Sequence, residues 1–264
     1  MVNYRKKFKI TKEVAEAWEQ EPIFLVGQND VLIILIHGWS LTPRQMLGLA
    51  KHLNKKGYSV SLPRLSGHGT KPEDLEKVKW RDWVGDLVKE IRKQKQKNKF
   101  RKIIIGGTSI GGNICLLTSL VEKTDGLILI GTPVHFKNHF VIKLGAIFIP
   151  LFKKYIKKRR PAKVGFNPKD SYQYFPVRNS RQVLYLVRNS VFSLKKVTAP
   201  LLVLQTRKDF FVTKYSPWII YKNVSSKIKK LQWLETESEN HVPQGKEVGK
   251  MAELVEEFVG DVCF

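Results

Sequence analysis

Short, uniformly apolar runs separated by amphipathic stretches of helical period set the plan of this chain. Val31-Leu32-Ile33-Ile34-Leu35-Ile36, Ile103-Ile104-Ile105, Gly126-Leu127-Ile128-Leu129-Ile130-Gly131 and Leu201-Leu202-Val203-Leu204-Gln205 lack the polar alternation of a half-exposed strand. Each therefore reads as a strand covered on both faces. Residues 22–26, 58–62 and 231–234 read as further, shorter strands. Between them, Trp80, Trp83, Val84, Leu87 and Ile91 fall on one stripe with lysines opposite, predicting a helix over 80–96. Met46, Leu49 and Leu53 mark another helix, stopped at Gly57, and Val248, Met251, Leu254, Val255 and Phe258 mark a final one. A short capped helix is expected over 11–18. Strands alternating with helices predict an α/β fold: a mostly parallel central sheet with helices on both faces.

Residues 134–196 break the alternation. Phe136, Phe140, Phe148, Ile149, Phe152 and Tyr155 are interleaved there with Lys153, Lys154, Lys157, Lys158, Arg159 and Arg160, and no strand is evident. The expectation is a small helical cap inserted over the C-terminal edge of the sheet. The organisation is then an N-terminal extension (1–21), a core in two pieces (22–133 and 197–264) and a cap (134–196). At 264 residues the chain suits one such domain.

The turn after the strand at 103–105 carries candidate chemistry. Gly107-Thr108-Ser109-Ile110-Gly111 is a G-x-S-x-G pattern between a strand and a helix, the context its mechanism requires. A sharp turn presents the Ser109 hydroxyl and needs neighbours without Cβ atoms. A serine is a weak nucleophile until a base takes its proton and a third group orients that base. In this arrangement the partners follow in the order serine, acid, histidine. His37, His52 and His68 precede the serine, and His135 and His139 lie in the insertion, which leaves His241. Asp209 follows the strand 201–205, at the end of a strand where ligand chemistry collects in open α/β sheets. Asp170 belongs to the insertion and Asp261 to the chain end; Glu235, Glu237 and Glu239 are too close in sequence to His241 to be the obvious triad acid, though one could contribute. The oxyanion donors are expected to be the backbone N–H groups of Ile110 and Trp39, with His37 holding the latter's loop.

Together, Ile-His-Gly-Trp at 36–39, Pro-Arg-Leu-Ser-Gly-His-Gly at 63–69, Gly-Gly-Thr-Ser-Ile-Gly-Gly at 106–112, Asp209-x-x-Val212 and His241 resemble the α/β-hydrolase superfamily. Over residues 22–260 the chain is most similar to its small bacterial carboxylesterase and monoacylglycerol lipase group. The resemblance implies a serine esterase with a mobile cap, an acyl pocket and the triad Ser109, Asp209 and His241. Thr108 replaces the leucine usual in these esterases, and Glu239-Asn240 precedes the histidine where a small residue is common. Both departures bear on pocket shape.

The expected reaction is hydrolysis of an aliphatic carboxylic ester, such as a monoacylglycerol, through an acyl-serine. Thioester hydrolysis or acyl transfer with the same triad is the alternative, and a non-catalytic basic binding protein is a distant third. Lys+Arg 47 against Asp+Glu 23 gives a net charge of +24, which favours anionic partners. The charge comes in scattered runs, so solvated faces are its first reading. Contact of the basic, aromatic cap with an anionic membrane surface is the second. Nothing resembles a nucleic-acid-binding module. The two cysteines, Cys115 and Cys263, form no metal or disulfide pattern, and Cys115 is expected to be a buried apolar residue. No cofactor or metal is expected. Residues 1–12 are basic without an apolar core, so no secretory signal is read and a cytoplasmic location is expected.

Overall fold

The computed structural model describes residues 20–136, 139–157, 171–236 and 247–263. The helix expected over 11–18 lies outside them, as do Lys158, Arg159, Arg160 and His241. A seven-stranded sheet runs in the order β1-β3-β2-β4-β5-β8-β9. Its strands are β1 (Ile23–Leu25), β2 (Val31–Ile36), β3 (Ser59–Leu62), β4 (Lys102–Thr108), β5 (Gly126–Ile130), β8 (Leu201–Thr206) and β9 (Lys229–Leu234). β1 is antiparallel to β3, and every other pairing is parallel. The chain visits β3 on one side of β2 and then crosses to β4 on the other. The order thus reverses between β2 and β4, leaving a crevice outside the carboxyl ends of these two strands.

Why the strands lack polar alternation is visible in the core. Leu32, Ile34 and Ile36 of β2 face one hydrophobic cluster, with Ile103 and Ile105, Leu127 and Leu129, and Leu201 and Val203. Val31, Ile33 and Leu35 face a second, with Ile104, Ile128 and Ile130, and Leu202 and Leu204. The period of two holds, but both faces are dry. The first cluster is covered by α3 (Trp80–Gln96), α4 (Ile110–Thr118) and α6 (Ser180–Phe192). The second is covered by α1 (Leu47–Lys55) and α8 (Glu247–Cys263). Cys115 is fully buried in the first cluster, and burial pushes its thiol far above the usual range. It is a packing residue, as expected.

The segment 134–196, in which no strand is evident from sequence, contains two among its described residues. After α5 (His139–Phe152), the three-residue strand β6 (Tyr155–Lys157) pairs antiparallel with β7 (Tyr174–Pro176). Such strands fall below the length at which periodicity is legible. Two short helices also escaped the sequence reading, α2 (Pro72–Lys77) and α7 (Ser216–Asn223). The aromatics of the insertion divide in two. Phe136 and Tyr155 pack against the first core cluster, whereas Phe148 and Phe152 of α5 are 55% and 84% exposed. The side chain of Phe140 lies outside the described residues. α6, at the end of the insertion, packs on α3 and α4 as part of that core. Asn113 Nδ2 of α4 donates to Ser190 Oγ of α6 at 2.8 Å and to the Pro133 carbonyl at 2.9 Å.

α8 closes the second core mainly through Phe258, which is fully buried and lies against the space above Gly126. Phe258→Ala is expected to cost about 3–5 kcal/mol through lost apolar burial and the cavity left behind. A lowered denaturant midpoint at unchanged slope would record this.

Candidate active site

The turn between β4 and α4 is built from residues that leave it no other shape. Ser109 is held at φ 54 and ψ −122, a left-handed backbone costly for a residue with a Cβ. Its N–H donates to the Ile130 carbonyl at 2.8 Å, tying the turn to the end of β5. The surrounding glycines are there for space. A Cβ on Gly107 would sit 2.3 Å from the Gly111 carbonyl carbon, and one on Gly111 would sit 2.6 Å from the Ile36 carbonyl oxygen. One on Gly112 would fall 1.8 Å from Thr132 Oγ1. The helix that follows thereby packs directly on the ends of β2 and β4. Ser109, half-buried, stands at its N-terminus. The Ile110 N–H is in the first turn, where an amide has no partner within the helix.

The loop after β2 meets this turn across the crevice. A Cβ on Gly38 would be 3.6 Å from Ser109 Cβ, so the Gly38–Trp39 peptide lies beside the serine. His37 fixes its carbonyl side. The Leu65 N–H donates to His37 Nε2 at 3.3 Å, which leaves Nδ1 as the protonated nitrogen, donating to the Gly38 carbonyl at 2.9 Å. The Leu41 N–H donates to the same carbonyl at 3.3 Å. Since the peptide is planar and trans, a Gly38 carbonyl engaged on that side turns the Trp39 N–H the other way. Gln45 Oε1 accepts the Gly38 N–H at 2.8 Å, completing the frame.

Asp209 follows β8, two strands from β4. It is 3% exposed. Its Oδ1 accepts the N–H groups of Phe211 at 2.8 Å and Val212 at 2.9 Å, and Oδ2 accepts Gln205 Nε2 at 2.7 Å. The carboxylate is thus fixed in direction by its own loop and by the strand before it. Two strand spacings separate the ends of β4 and β8 by roughly 10 Å, so serine and aspartate need a bridging group of imidazole size. Thr206 pairs with Leu234 in the parallel ladder, so the chain leaving β9 starts at the same edge, next to Asp209. That chain leads into the stretch containing His241. The structure therefore brings Ser109, Ile110 and Trp39 together and puts Asp209 on the same edge. Gln45 and Gln205 were not singled out from sequence. Gln205 carried a faint signal, a polar residue closing an apolar strand four positions before the acid.

Burial holds the His37 imidazole at a pKa of about 4, against 6.5 for the free side chain. The unfolded chain takes up this proton below about pH 6.5, while the folded chain excludes it until about pH 4. The unfolded state then binds more protons, so this contribution is complete above the upper value and lost as the pH falls towards the lower. It amounts to about 3 kcal/mol. Urea unfolding of wild type and His37→Gln between pH 7 and pH 4 is expected to show a steeper acid loss in the wild type. Parallel profiles would refute the assignment of a neutral His37.

The geometry has counterparts among known proteins. The family model described as serine aminopeptidase, S33, matches residues 27–237. A carboxylesterase of Bacillus subtilis (strain 168) is 25% identical over 236 residues, covering 89% of this chain and 95% of that protein. A thermostable monoacylglycerol lipase of Bacillus sp. (strain H-257) is 28% identical over 226 residues, covering 81% and 86%. A solved structure of the metagenome-derived lipolytic enzymes LipS and LipT superposes with a TM-score of 0.81 at 23% identity, covering 92% of this chain and 98% of that one. A soluble variant of monoglyceride lipase from Saccharomyces cerevisiae gives 0.72 at 19%, covering 90% of each. With the family model spanning most of its length and the fold shared throughout, the chain belongs to the serine aminopeptidase S33 family of the α/β-hydrolase fold.

Proposed function

We propose that this protein is a serine carboxylic-ester hydrolase that works through an acyl-serine intermediate on aliphatic acyl esters of the monoacylglycerol kind. The observation that carries the reading is the left-handed backbone of Ser109 at a strand-to-helix turn, facing the Gly38–Trp39 peptide. The curated relatives, a carboxylesterase and a monoacylglycerol lipase, support the substrate class.

In this mechanism Ser109 Oγ attacks the ester carbonyl carbon while His241 takes the hydroxyl proton. The carbonyl oxygen becomes an oxyanion and accepts hydrogen bonds from the Trp39 and Ile110 N–H groups, with the N-terminus of α4 adding its positive end. Collapse breaks the bond to the alcohol, which leaves with the proton from His241. Water, deprotonated by His241, then attacks the acyl-serine; the bond from the acyl carbon to Ser109 Oγ breaks, His241 returns the proton to Oγ, and the carboxylic acid leaves. Asp209 stays ionised, holding the imidazole tautomer and stabilising the imidazolium. Its two backbone donors and Gln205 suit that role, since each favours the charged form. No step calls for a metal or an organic cofactor.

The cap adds a finer proposal, peripheral contact with an anionic membrane. Leu144, Phe148, Leu151 and Phe152 of α5 are exposed, with Lys153, Lys154 and Lys157 directly after them. An apolar face bordered by lysines suits an interface between headgroups and acyl chains. Phe148→Ser/Phe152→Ser is expected to weaken sedimentation with vesicles containing phosphatidylserine, while hydrolysis of a water-soluble ester is unchanged. Equal sedimentation of both proteins would refute the contact.

Initial rates on p-nitrophenyl esters from acetyl to palmitoyl test the reaction itself. Ser109→Ala is expected to lose several orders of magnitude in kcat, since a triad acts as a unit. Asp209→Asn is expected to lose about 10⁴-fold by favouring the wrong imidazole tautomer. The best chain length measures the acyl pocket. A wild type inert on every ester would refute ester hydrolysis.

A further inference from the structure

The loop beside Ser109 is held by the insertion as well as by the core. The Trp39 indole Nε1–H donates to Asn179 Oδ1 at 2.8 Å, and its ring meets Phe175 edge-on, with centroids 4.8 Å apart. Asn179 is 1% exposed and fully engaged: its Nδ2 donates to the carbonyls of Leu75 at 2.7 Å and Val78 at 2.9 Å, at the end of α2. One residue on, Ser40 has φ 57, a left-handed conformation in a residue other than glycine. Its carbonyl accepts the Tyr172 N–H at 3.1 Å, and Leu41 pairs with Ser171 in an antiparallel bridge. Tyr172, buried, donates its hydroxyl to the Gly67 carbonyl at 2.9 Å and accepts the Thr70 N–H at 3.0 Å. Residues 171–179, the arm by which the insertion returns to the body, are thus fastened to 39–41 on one side and to 67–78 on the other.

We propose that Asn179 is a positioning residue for ester hydrolysis: by anchoring the Trp39 indole it sets the direction of the Trp39 peptide N–H, so the oxyanion site is assembled only when the returning arm is seated. The proposal rests on the reading of Trp39 as an oxyanion donor. An oxyanion donor must lie within hydrogen-bond reach of an oxygen that forms only in the transition state, and small misplacements there cost far more rate than binding. A buried amide hydrogen-bonded at both its oxygen and its nitrogen has one position available, and it passes that position to the indole. The strained Ser40 needs an outside restraint, and the bonds from 171 and 172 provide one. Movement of the arm then becomes a change in kcat rather than only in substrate access.

The test compares Asn179→Ala and Trp39→Phe with Gln182→Ala. Gln182, on α6 just past the arm, instead ties the insertion to the body by accepting the Trp80 N–H at 3.2 Å, a bond that does not involve the 38–41 loop. The readouts are kcat and KM on a p-nitrophenyl ester, the inhibition constant of an aliphatic trifluoromethyl ketone, whose adduct carries an oxyanion, and Tm. Asn179→Ala and Trp39→Phe are each expected to lower kcat by roughly 10- to 100-fold with KM within about twofold of wild type. The ketone should weaken in parallel, and the double variant should be no slower than the slower single one. Gln182→Ala should keep wild-type kcat. If Asn179→Ala does not fold, Trp39→Phe decides, because it keeps both the ring against Phe175 and the bonds from Asn179 to α2. Unchanged kcat and ketone affinity in the two variants, whatever their Tm, would overturn the proposal, as would an equal fall in Gln182→Ala. An active wild type with unmoved variants counts against Asn179 alone; an inert wild type removes the ester-hydrolase reading beneath it.

Discussion

Everything at the site depends on one steric constraint, the left-handed turn at Ser109 between β4 and α4. A backbone bent that sharply throws α4 onto the ends of two strands, and only glycine fits where it lands. Gly107 and Gly111 touch each other, Gly111 touches the Ile36 carbonyl, and Gly112 lies under Thr132. The same close approach sets the serine against the Gly38–Trp39 peptide. Nucleophile and oxyanion donors are therefore brought together by packing. The conformational cost of the turn is met by the buried sheet on which it rests, where both hydrophobic clusters converge.

His37 and several side-chain amides support the loops around this turn. His37, neutral because it is buried, fixes the Gly38 carbonyl; Gln45 fixes the Gly38 N–H. Asn179 and Phe175 hold the Trp39 side chain from the insertion. On the acid side, Gln205 and two backbone amides hold Asp209. His37, Asn179 and Gln205 are buried and hydrogen-bonded, so loss of one leaves a partner unsatisfied and the loop free to move.

Most of the body could be read from the chain because its signals are local. Six consecutive apolar, mostly β-branched residues at 31–36, bounded by turn residues, read as a strand dry on both faces, and the stripe Trp83, Leu87 and Ile91 reads as a core-facing side. The serine and its glycines were legible for the same reason: their spacing encodes a turn. What could not be read depends on partners distant in sequence. β6 and β7 are three residues each and exist only because they pair with one another. Asn179 has no local pattern at all; its importance comes from Trp39, 140 positions away. His241 rests on chain order, and the β9 edge that leads towards it agrees with that order.

The central claim is that Ser109 becomes acylated. Incubating the protein with a fluorophosphonate and locating the adduct by peptide mass spectrometry tests it directly. The account predicts one adduct per chain, on Ser109, forming in step with loss of ester hydrolysis and absent when the protein is first denatured. Full inactivation with the adduct on another residue, or sustained hydrolysis by protein fully labelled at Ser109, would contradict it.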